Sequence, residues 1–401
     1  MSNKWESNPE IQRFRDYLRI PTVQPNINYV ECIEFLKKQA DELNLPIELH
    51  YPYDETKPIA VITWEGADPS LPSIVLNSHM DVVPVYENLW THQPFAAEMD
   101  ENGNIFARGA QDMKSVGMQY LGAIKRLQDK GVRLKRTFHV IYVPDEEIGG
   151  DKGMRLFVKT EAFRRLNVGF ALDEGIASPD EVFPVFYAER SVWRVDFICH
   201  GTTGHGSLLL ENTAGEKMRH ILDNMMDFRA EQVEILKNNP EFSIGDVTTV
   251  NLTILHGGVQ SNVVPSSLTA LFDCRLAVDV DHDAFEGKLR TWSEQAGGDI
   301  EVNFVQKRPK IQPTCIDNNN PFWKAFRETL VDDLHLKIKP LVFPGRTDSC
   351  YIREVGIPAL GFSPLSNTPV LLHDNDEYVS ADTYLTGISI YTKLIEKIGN
   401  I

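Results

Sequence analysis

The sequence predicts an α/β fold with a mainly parallel sheet, into which a smaller domain is inserted. Residues 1–187 alternate short apolar strands with amphipathic helices, the pattern of a parallel sheet covered by helices. From about Ala188 the order becomes strand, helix, strand, strand, helix, strand, as in a ferredoxin-like unit. Because the first pattern then resumes, we expect one domain over 1–187 and 309–401 and an inserted domain over 188–308.

The elements of the larger domain are predicted from hydrophobic periodicity. Helices are predicted over 11–18, 29–43, 113–128 and 321–334, and strands over 73–78, 137–143, 168–172 and 357–362. The helix over 113–128 is amphipathic, because its apolar residues recur on one face. These strands are short and almost wholly apolar, which is typical of a sheet buried on both faces.

The elements of the inserted domain follow a different pattern. Strands are predicted over 192–199, 247–255, 267–278 and 300–305, and a helix over 283–295. The other helix begins after Thr213, because Glu216 follows three residues later and forms a capping-box signature with it. The stretch 306–314 is rich in proline and basic residues and is interpreted as a linker.

Composition excludes several classes of function. The formal net charge of −17 argues against nucleic acid or an anionic membrane as a partner. The first twenty residues lack the apolar stretch of a signal peptide, and no segment approaches about 18 consecutive apolar residues. The five cysteines are odd in number and form no CxxC pair, which is typical of reduced thiols. We therefore expect a cytoplasmic protein.

Acidic and imidazole side chains follow the ends of several predicted strands. The residues concerned are His79 and Asp81, then Asp145, Glu146 and Glu147, then Asp173 and Glu174, and finally His373 and Asp374. Asp112 stands just before the helix over 113–128. The carboxyl ends of strands line the ligand crevice of open α/β sheets, so these groups are expected to converge. Like charges packed together need a cation or shared protons.

Histidine with carboxylate is a ligand set that suits zinc, and a set of this size suits two ions. A carboxylate between two metals holds them about 3.5–4 Å apart and clamps one water as the nucleophile. The spacing of His79 and Asp81 places both side chains on one side of an extended chain. The Asp81 carboxylate could then accept the second ring N–H of His79.

Each of these signals also has a plainer explanation. A single His-x-Asp after a strand is more often a loop or a satisfied polar pair. Glu146 and Glu147 alone would more often form a solvated acidic turn, and Asp112 would interact favourably with a helix N-terminus. Their shared position at strand ends is what favours a metallohydrolase.

The ordered motifs of the chain resemble those of the M20 metallopeptidase family. The motifs are SHMDVVP, ARGAQDMKS, PDEEIGG, ALDEG, GTTGHGS, QSNVVP and TPVLLHDNDE, and they cover roughly residues 10 to 395. The resemblance implies a catalytic domain of the dizinc exopeptidase type, interrupted by a lid domain that mediates homodimerisation. It also implies zinc-dependent hydrolysis of the amide bond of small N-acyl-L-amino acids to a free amino acid and a carboxylate.

The resemblance also implies a role for each residue of the predicted site. His79 and Glu174 would bind one of two zinc ions, Glu147 and His373 the other, and Asp112 would bridge them. Asp81 would orient His79, and Glu146 would be the general base. Spacing alone does not distinguish Glu146 from Glu147, so this division comes from the family. A base must stay off the metal to accept a proton.

Two residues of the inserted domain receive roles from the same resemblance. His205 would reach the active site of the partner subunit and stabilise the oxyanion, and Asn262 would contact the substrate. Without the resemblance, a histidine among glycines would be interpreted as a turn residue.

The chain departs from the family pattern in one segment. Family members commonly carry an arginine two residues after the aspartate of a Thr-Asp segment, where this chain has Cys350. Arg346, Arg353 or Arg275 could bind the substrate carboxylate instead, and Arg346 is the leading hypothesis. An ordinary ion pair explains each arginine as well, and Cys350 is expected to be a small buried residue.

Two alternative functions remain open at this stage. A dipeptidase, or another amidase of the acyl-polyamine type, could be built on the same scaffold. A binding protein that had lost its chemistry would usually lack a ligand or the base, and all of these residues are present.

Overall fold

A computed structural model describes residues 4–401, so the first three residues of the predicted catalytic domain lie outside the described part. The chain forms two compact units. The first runs to Tyr187 and resumes over Pro313–Leu341 and Arg346–Ile401, and the second comprises Ala188–Gln312 with Val342–Gly345. The chain passes from the first unit to the second after residue 187 and returns after residue 312. The predicted domain boundaries lie after residues 187 and 308.

The described helices and strands are numbered here in chain order. The helices are α1 Pro9–Leu18, α2 Val30–Glu42, α3 Lys114–Asp129, α4 Met154–Phe157, α5 Glu161–Arg165, α6 Ala214–Asn238, α7 His282–Gln295, α8 Pro321–Arg327, α9 Ser349–Glu354 and α10 Ala381–Ile398. The strands are β1 Ile47–His50, β2 Ile59–Trp64, β3 Ser73–His79, β4 Glu98–Met99, β5 Asn104–Phe106, β6 Phe138–Val143, β7 Val168–Asp173, β8 Val182–Glu189, β9 Ser191–His200, β10 Gly204–His205, β11 Thr249–Gly257, β12 Val263–Val264, β13 Ser267–Leu276, β14 Ile300–Lys307, β15 Lys337–Phe343, β16 Ala359–Gly361 and β17 Tyr378–Ser380.

The first unit is built on an eight-stranded sheet of order β1-β2-β6-β3-β7-β16-β8-β15. The pairs β6–β3, β3–β7 and β7–β16 in the middle of the sheet are parallel, while the pairs β1–β2, β2–β6 and β16–β8 are antiparallel. Every residue of β3 and β6 is buried, as expected for parallel strands covered on both faces. The predicted mainly parallel α/β fold is confirmed.

The predicted elements of this unit are confirmed, with small shifts at their ends. The predicted helix over 321–334 is divided, because an α-helix over Pro321–Arg327 continues as a π-helical segment over Glu328–Asp333. Several elements were not predicted, among them β2, β8 and the C-terminal helix α10. The buried face of α10 packs against α3 through rings such as Tyr120 and Tyr391, whose centroids are 4.7 Å apart.

The second unit is a four-stranded antiparallel sheet of order β11-β13-β9-β14, packed against α6 and α7. Its βαββαβ order confirms the predicted ferredoxin-like fold. The capping box at Thr213 and Glu216 is present and begins the 25-residue helix α6. The additional two-residue strands β10 and β12 pair Gly204 and His205 with Val264 and Val263.

No helix among residues 4–401 is both long enough and apolar enough to span a membrane.

Candidate active site

Three neighbouring parallel strands end at one edge of the large sheet. β3 ends at His79, and it is paired on one side with β6 and on the other with β7. Glu146 and Glu147 follow the end of β6 after a short turn, and Glu174 follows the end of β7 directly. The predicted convergence of these side chains is therefore present, because parallel neighbours deliver their carboxyl ends to the same place.

Two clusters of ligand groups share one carboxylate. His79, Asp112 and Glu174 form the buried cluster, with the Nε2 atom of His79 2.9 Å from Asp112 Oδ1 and 3.7 Å from Glu174 Oε2. Asp112, Glu147 and His373 form the open cluster, in which His373 Nε2 lies 3.3 Å from Asp112 Oδ2 and 3.1 Å from Glu147 Oε2. Asp112 thus directs one oxygen to each cluster, which is the geometry of a bridging ligand.

The electrostatics of the clusters favour cations. Burial, with the Glu174 charge nearby, raises the pKa of Glu146 well above its ordinary range, and burial with Asp112 nearby does the same for Glu174. Burial and the Asp112 charge raise the pKa of Glu147 to about 7. Hydrogen bonds to Asp112 and Glu147 raise the pKa of His373 to about 10. Without a metal, these groups must take up protons to coexist.

The residues present fit a pair of divalent cations. Each cluster offers three nitrogen or oxygen atoms that lie within 4.8 Å of one another, a set suited to zinc and similar ions. The buried Glu147 Oε1 atom has no hydrogen-bond partner among the described residues, as expected of a ligand atom before a metal binds. The predicted ligands His79, Asp112, Glu147, Glu174 and His373 are thus brought together in full.

Asp81 lies beside His79, but its carboxylate does not make the predicted contact. The Nδ1 atom of His79 lies 2.8 Å from the backbone carbonyl oxygen of Asp81 and 3.7 Å from the carboxylate Oδ1. The carboxylate instead accepts the backbone N–H groups of Glu146 and Glu147 at 3.2 and 3.1 Å, and the Gln24 side-chain amide at 2.6 Å. Because these donors occupy the Asp81 carboxylate, it is the backbone carbonyl of Asp81 that contacts the His79 ring.

The general-base candidate Glu146 belongs to neither cluster and begins a 3₁₀ turn over Glu146–Ile148. Asp145, just before it, has a left-handed backbone with φ 67° and pairs with Lys57 through a 2.5 Å contact between Nζ and Oδ1. Gln24 also donates to Asp145, at 3.1 Å. Sequence reasoning missed Lys57 and Gln24, since nothing in the sequence links residues so far apart.

His205 and Asn262, two of the predicted residues of the second unit, lie near each other in that unit. His205 is exposed, and its Nδ1 atom lies 2.7 Å from Ser207 Oγ. Asn262 accepts a hydrogen bond from Gly206 N at its carbonyl, at 2.8 Å. Arg275 is engaged elsewhere, because it donates to both oxygens of Asp273.

The arginines of the first unit differ in their surroundings. Arg353 is buried and donates to the carbonyls of Ala359 and Phe186, so its guanidinium is part of the packing. Arg346 lies over the ring of Tyr351, 4.5 Å from its centroid, and its Nε–H contacts Cys350 Sγ at 2.9 Å.

Tyr351 links Arg346 to the loop that carries the base candidate. The Tyr351 hydroxyl beneath it donates to the Gly149 carbonyl, directly after the turn of Glu146. Cys350 is buried, as expected.

The chain is similar over almost its full length to known proteins and to solved structures. The chain is 48% identical over 398 residues to aminoacylase-1 of Mus musculus, covering 98% of this chain and 96% of the relative. It is 46% identical over 401 residues to aminoacylase-1 of Homo sapiens, covering 99% and 97%. The structure of YXEP from Bacillus subtilis, described as a dinuclear metal binding peptidase from the M20 family, superposes with a TM-score of 0.68 at 18% identity, covering 96% of each chain. Residues 75–397 match peptidase family M20/M25/M40, and the chain therefore belongs to that family.

Proposed function

We propose that this chain is a zinc-dependent amidohydrolase that cleaves N-acyl-L-amino acids into a carboxylate and a free amino acid. The observation that carries the proposal is the pair of ligand clusters joined by Asp112, beside the half-buried Glu146, which belongs to neither cluster. The near full-length similarity to aminoacylase-1 of two mammals supports the substrate class.

Two zinc ions per subunit are proposed from the donor set. His79 and Glu174 would hold one ion, Glu147 and His373 the other, and Asp112 both. When bound, such a pair of ions lowers the pKa of a water molecule and polarises the carbonyl of the scissile amide.

Glu146 is proposed to move the proton. Its carboxylate would take a proton from the attacking water and later deliver it to the leaving amine nitrogen. Three features support this role. Glu146 is outside both clusters, so it is not required as a ligand, and its backbone N–H is held by Asp81. Burial raises the pKa of its carboxyl group, which is the direction expected of a residue that carries a proton during the reaction.

The test of the base is the variant Glu146→Gln, with Glu161→Gln on the exposed helix α5 as its control. Glu146→Gln is expected to retain both metal ions and to lose about 10²–10⁴-fold in kcat, because the proton acceptor is removed. Metal content by elemental analysis and turnover of N-acetyl-methionine give the two readouts. Turnover like that of the wild type would overturn the assignment, and loss of metal would make Glu146 a ligand.

His205 and Asn262 are proposed to act on the reacting carbonyl from a partner subunit in a homodimer. The exposure of His205 and its position on the short β10–β12 pairing support a role in contact with another surface. Losing one such donor typically costs about 10²–10³-fold in turnover. Mixing His205→Ala chains with Glu146→Gln chains is expected to restore some activity. No recovery in verified hybrid dimers would exclude the shared site.

Arg346 is proposed to bind the substrate carboxylate. Its guanidinium lies against Cys350 and over the ring of Tyr351, whose hydroxyl donates to the Gly149 carbonyl just after the turn of the base candidate. Arg346→Ala is expected to raise KM for N-acetyl-methionine, and Arg346→Ala/Cys350→Arg to recover part of the loss. Arg164→Ala, at an exposed position, is the control. An unchanged KM and kcat in Arg346→Ala would remove the hypothesis.

The substrate class is tested by a panel of acetyl amino acids, fatty-acyl amino acids and dipeptides. The highest kcat/KM is expected for an acyl amino acid. Preference for dipeptides would replace the proposal with a dipeptidase, and complete inactivity of protein loaded with zinc would make it a binding protein.

A cytoplasmic location is proposed from the five cysteines, none of which forms a disulfide bond within the described residues 4–401. Fractionation is expected to find the protein with cytosolic markers and with its thiols reduced. A disulfide-bonded form in an oxidising compartment would contradict the proposal.

A further inference from the structure

The buried carboxylate of Glu377 is fully used by the segment that carries Asp112. Its Oε1 atom accepts the backbone N–H groups of Gln111 at 2.6 Å and Asp112 at 3.2 Å. Its Oε2 atom accepts the N–H of Gly109 at 3.0 Å and the guanidinium of Arg108 at 2.8 Å. Glu377 is inaccessible to solvent, and Arg108 is only 3% exposed. One carboxylate therefore fixes the backbone from which the shared ligand projects.

The same segment holds the loop of His373 in return. Arg108 also donates to the carbonyl of Asp374, at 3.0 Å, one residue after His373. The amide oxygen of Gln111 accepts the N–H of Leu371, two residues before His373, also at 3.0 Å.

The amide nitrogen of Gln111 adds two further contacts. It donates to the carbonyls of Pro369 and Tyr378, at 3.0 and 2.8 Å. The backbone on both sides of His373 is thus bound to the neighbours of Asp112.

These contacts give the open cluster its shape. His373 lies on a loop with a left-handed backbone, φ 60°, and more than half of its side chain is exposed. Packing around the ring therefore does little to hold it near Asp112. By contrast, the other histidine, His79, is the last residue of a fully buried strand. The separation between Asp112 and His373 depends on the connection between their two loops.

We propose that Glu377, together with Arg108 and Gln111, is a positioning group that sets the affinity of the open cluster for its metal ion. The inference rests on the proposed metal centre and extends it to residues that touch no metal. A carboxylate that accepts several N–H donors, one of them charged, makes strong hydrogen bonds, and the loss of its charge weakens all of them. Residues that orient metal ligands in this way typically change metal affinity by about 10–100-fold when they are replaced.

A plainer explanation is that Glu377 and Arg108 form a buried ion pair that stabilises two loops and has no influence on metal binding. The two explanations differ in one measurable quantity. Replacing a purely structural ion pair lowers the stability of the protein and leaves the metal dissociation constants of the folded protein unchanged. Replacing a positioning group changes one of these dissociation constants and not the other.

The experiment is a calorimetric titration of the metal-free full-length chain with Zn²⁺, in the presence of a competing chelator. The wild type is expected to bind two ions in two steps. In Glu377→Gln the affinity of the weaker binding step, that of the open cluster, is expected to fall by about 10–100-fold. The affinity of the tighter step is expected to stay within error. Gln111→Leu removes the contacts to Pro369, Leu371 and Tyr378 with little change in volume, and we expect it to weaken the same step. It carries the test if Glu377→Gln does not fold.

The matched control is Glu10→Gln. Glu10 also pairs with an arginine through both carboxylate oxygens, at 2.8 and 2.6 Å from Arg126, but it lies on α1 and touches neither loop. Neither step is expected to change in this variant.

The outcomes separate the inference from the proposed function. Two unchanged steps in Glu377→Gln and Gln111→Leu, with only a lower Tm, would overturn the inference. Equal weakening of both steps would also overturn it, because the effect would then reach Asp112 alone. A wild type that binds no pair of ions would instead overturn the metal centre itself.

Discussion

The buried cluster and the open cluster contain similar ligands but are supported differently. His79 and Glu174 stand at the ends of adjacent strands and are 1% and 4% exposed. Glu147 lies on a 3₁₀ turn, and the His373 side chain is 55% exposed on a loop. The sheet thus positions one half of the site, while hydrogen bonds between loops position the other.

The two clusters are therefore expected to differ in how far their ligands can be altered without loss of the fold. A ligand at the end of a buried strand cannot move without disturbing the sheet, because protein interiors are closely packed. A ligand on a loop needs dedicated contacts, and those contacts can be removed one at a time. We therefore expect the two ions to differ in affinity and in rate of exchange.

The largest expected effect is that of Asp112→Asn, because this residue belongs to both clusters. Replacing the carboxylate with an amide removes the shared negative charge and the oxygen directed to one histidine. Elemental analysis is expected to show a loss of both ions, and activity is expected to fall to background. Retention of two ions would show that the clusters are independent.

A direct comparison of His373→Ala with His79→Ala separates the clusters. His373→Ala is expected to lose one ion, keep the other and change Tm little, since the ring is half exposed. His79→Ala is expected to lose at least one ion and to lower Tm clearly, because it leaves a cavity at a buried strand end. Metal content and thermal unfolding of both variants decide the matter, and identical behaviour would contradict the comparison.

Asp81→Asn is expected to have a smaller effect. The His79 ring is held by the backbone carbonyl of Asp81, which the substitution preserves, so both ions are expected to remain. The amide replaces one acceptor of the Glu146 and Glu147 N–H groups, and we expect kcat to fall by about 10–100-fold. Loss of the buried ion would restore the original prediction that the carboxylate orients His79.

The smallest expected effect is on the pH dependence of stability after chelation. The pKa of Glu147 rises from 4.5 to about 7 and that of His373 from 6.5 to about 10, so the folded metal-free chain binds more protons than the unfolded chain. Stability is then lost as pH rises, between about 4.5 and 7 for Glu147 and between about 6.5 and 10 for His373.

The measurement is Tm between pH 5 and 9, with and without chelator. Asp112 does not oppose this trend, because its pKa is lowered by hydrogen bonds from His373 and His79 despite burial, and its contribution is constant above pH 4. Tm of the metal-free form is expected to fall as pH rises, more steeply than that of the loaded form. A rise would contradict the assignment of protons to the clusters.

Much of this site was predictable because its chemistry is local to the strand ends. The apolar segment before His79 and the one before Glu174 identify two parallel strands, and parallel strands deliver their ends to one edge. The ordered motifs then added what spacing could not provide, namely the division between Glu146 and Glu147.

Other features were not predictable from any pattern in the chain. The backbone carbonyl of Asp81 faces the His79 ring, and its carboxylate binds the Glu146 turn. A spacing of two residues is equally compatible with the reverse arrangement. Lys57 and Gln24 join this turn from distant segments. The shifted helix ends and the unpredicted C-terminal helix α10 also show that hydrophobic periodicity alone does not locate every element.

The α/β class, the inserted βαββαβ order and the candidate metal ligands can be predicted from the sequence, because they follow from apolar periodicity and from side-chain chemistry. That Asp112 directs one oxygen to each cluster and that Glu377 joins the two loops is visible only in the folded chain. Those features depend on contacts across more than 200 residues of chain, where packing and hydrogen bonding set the geometry and no local pattern records it.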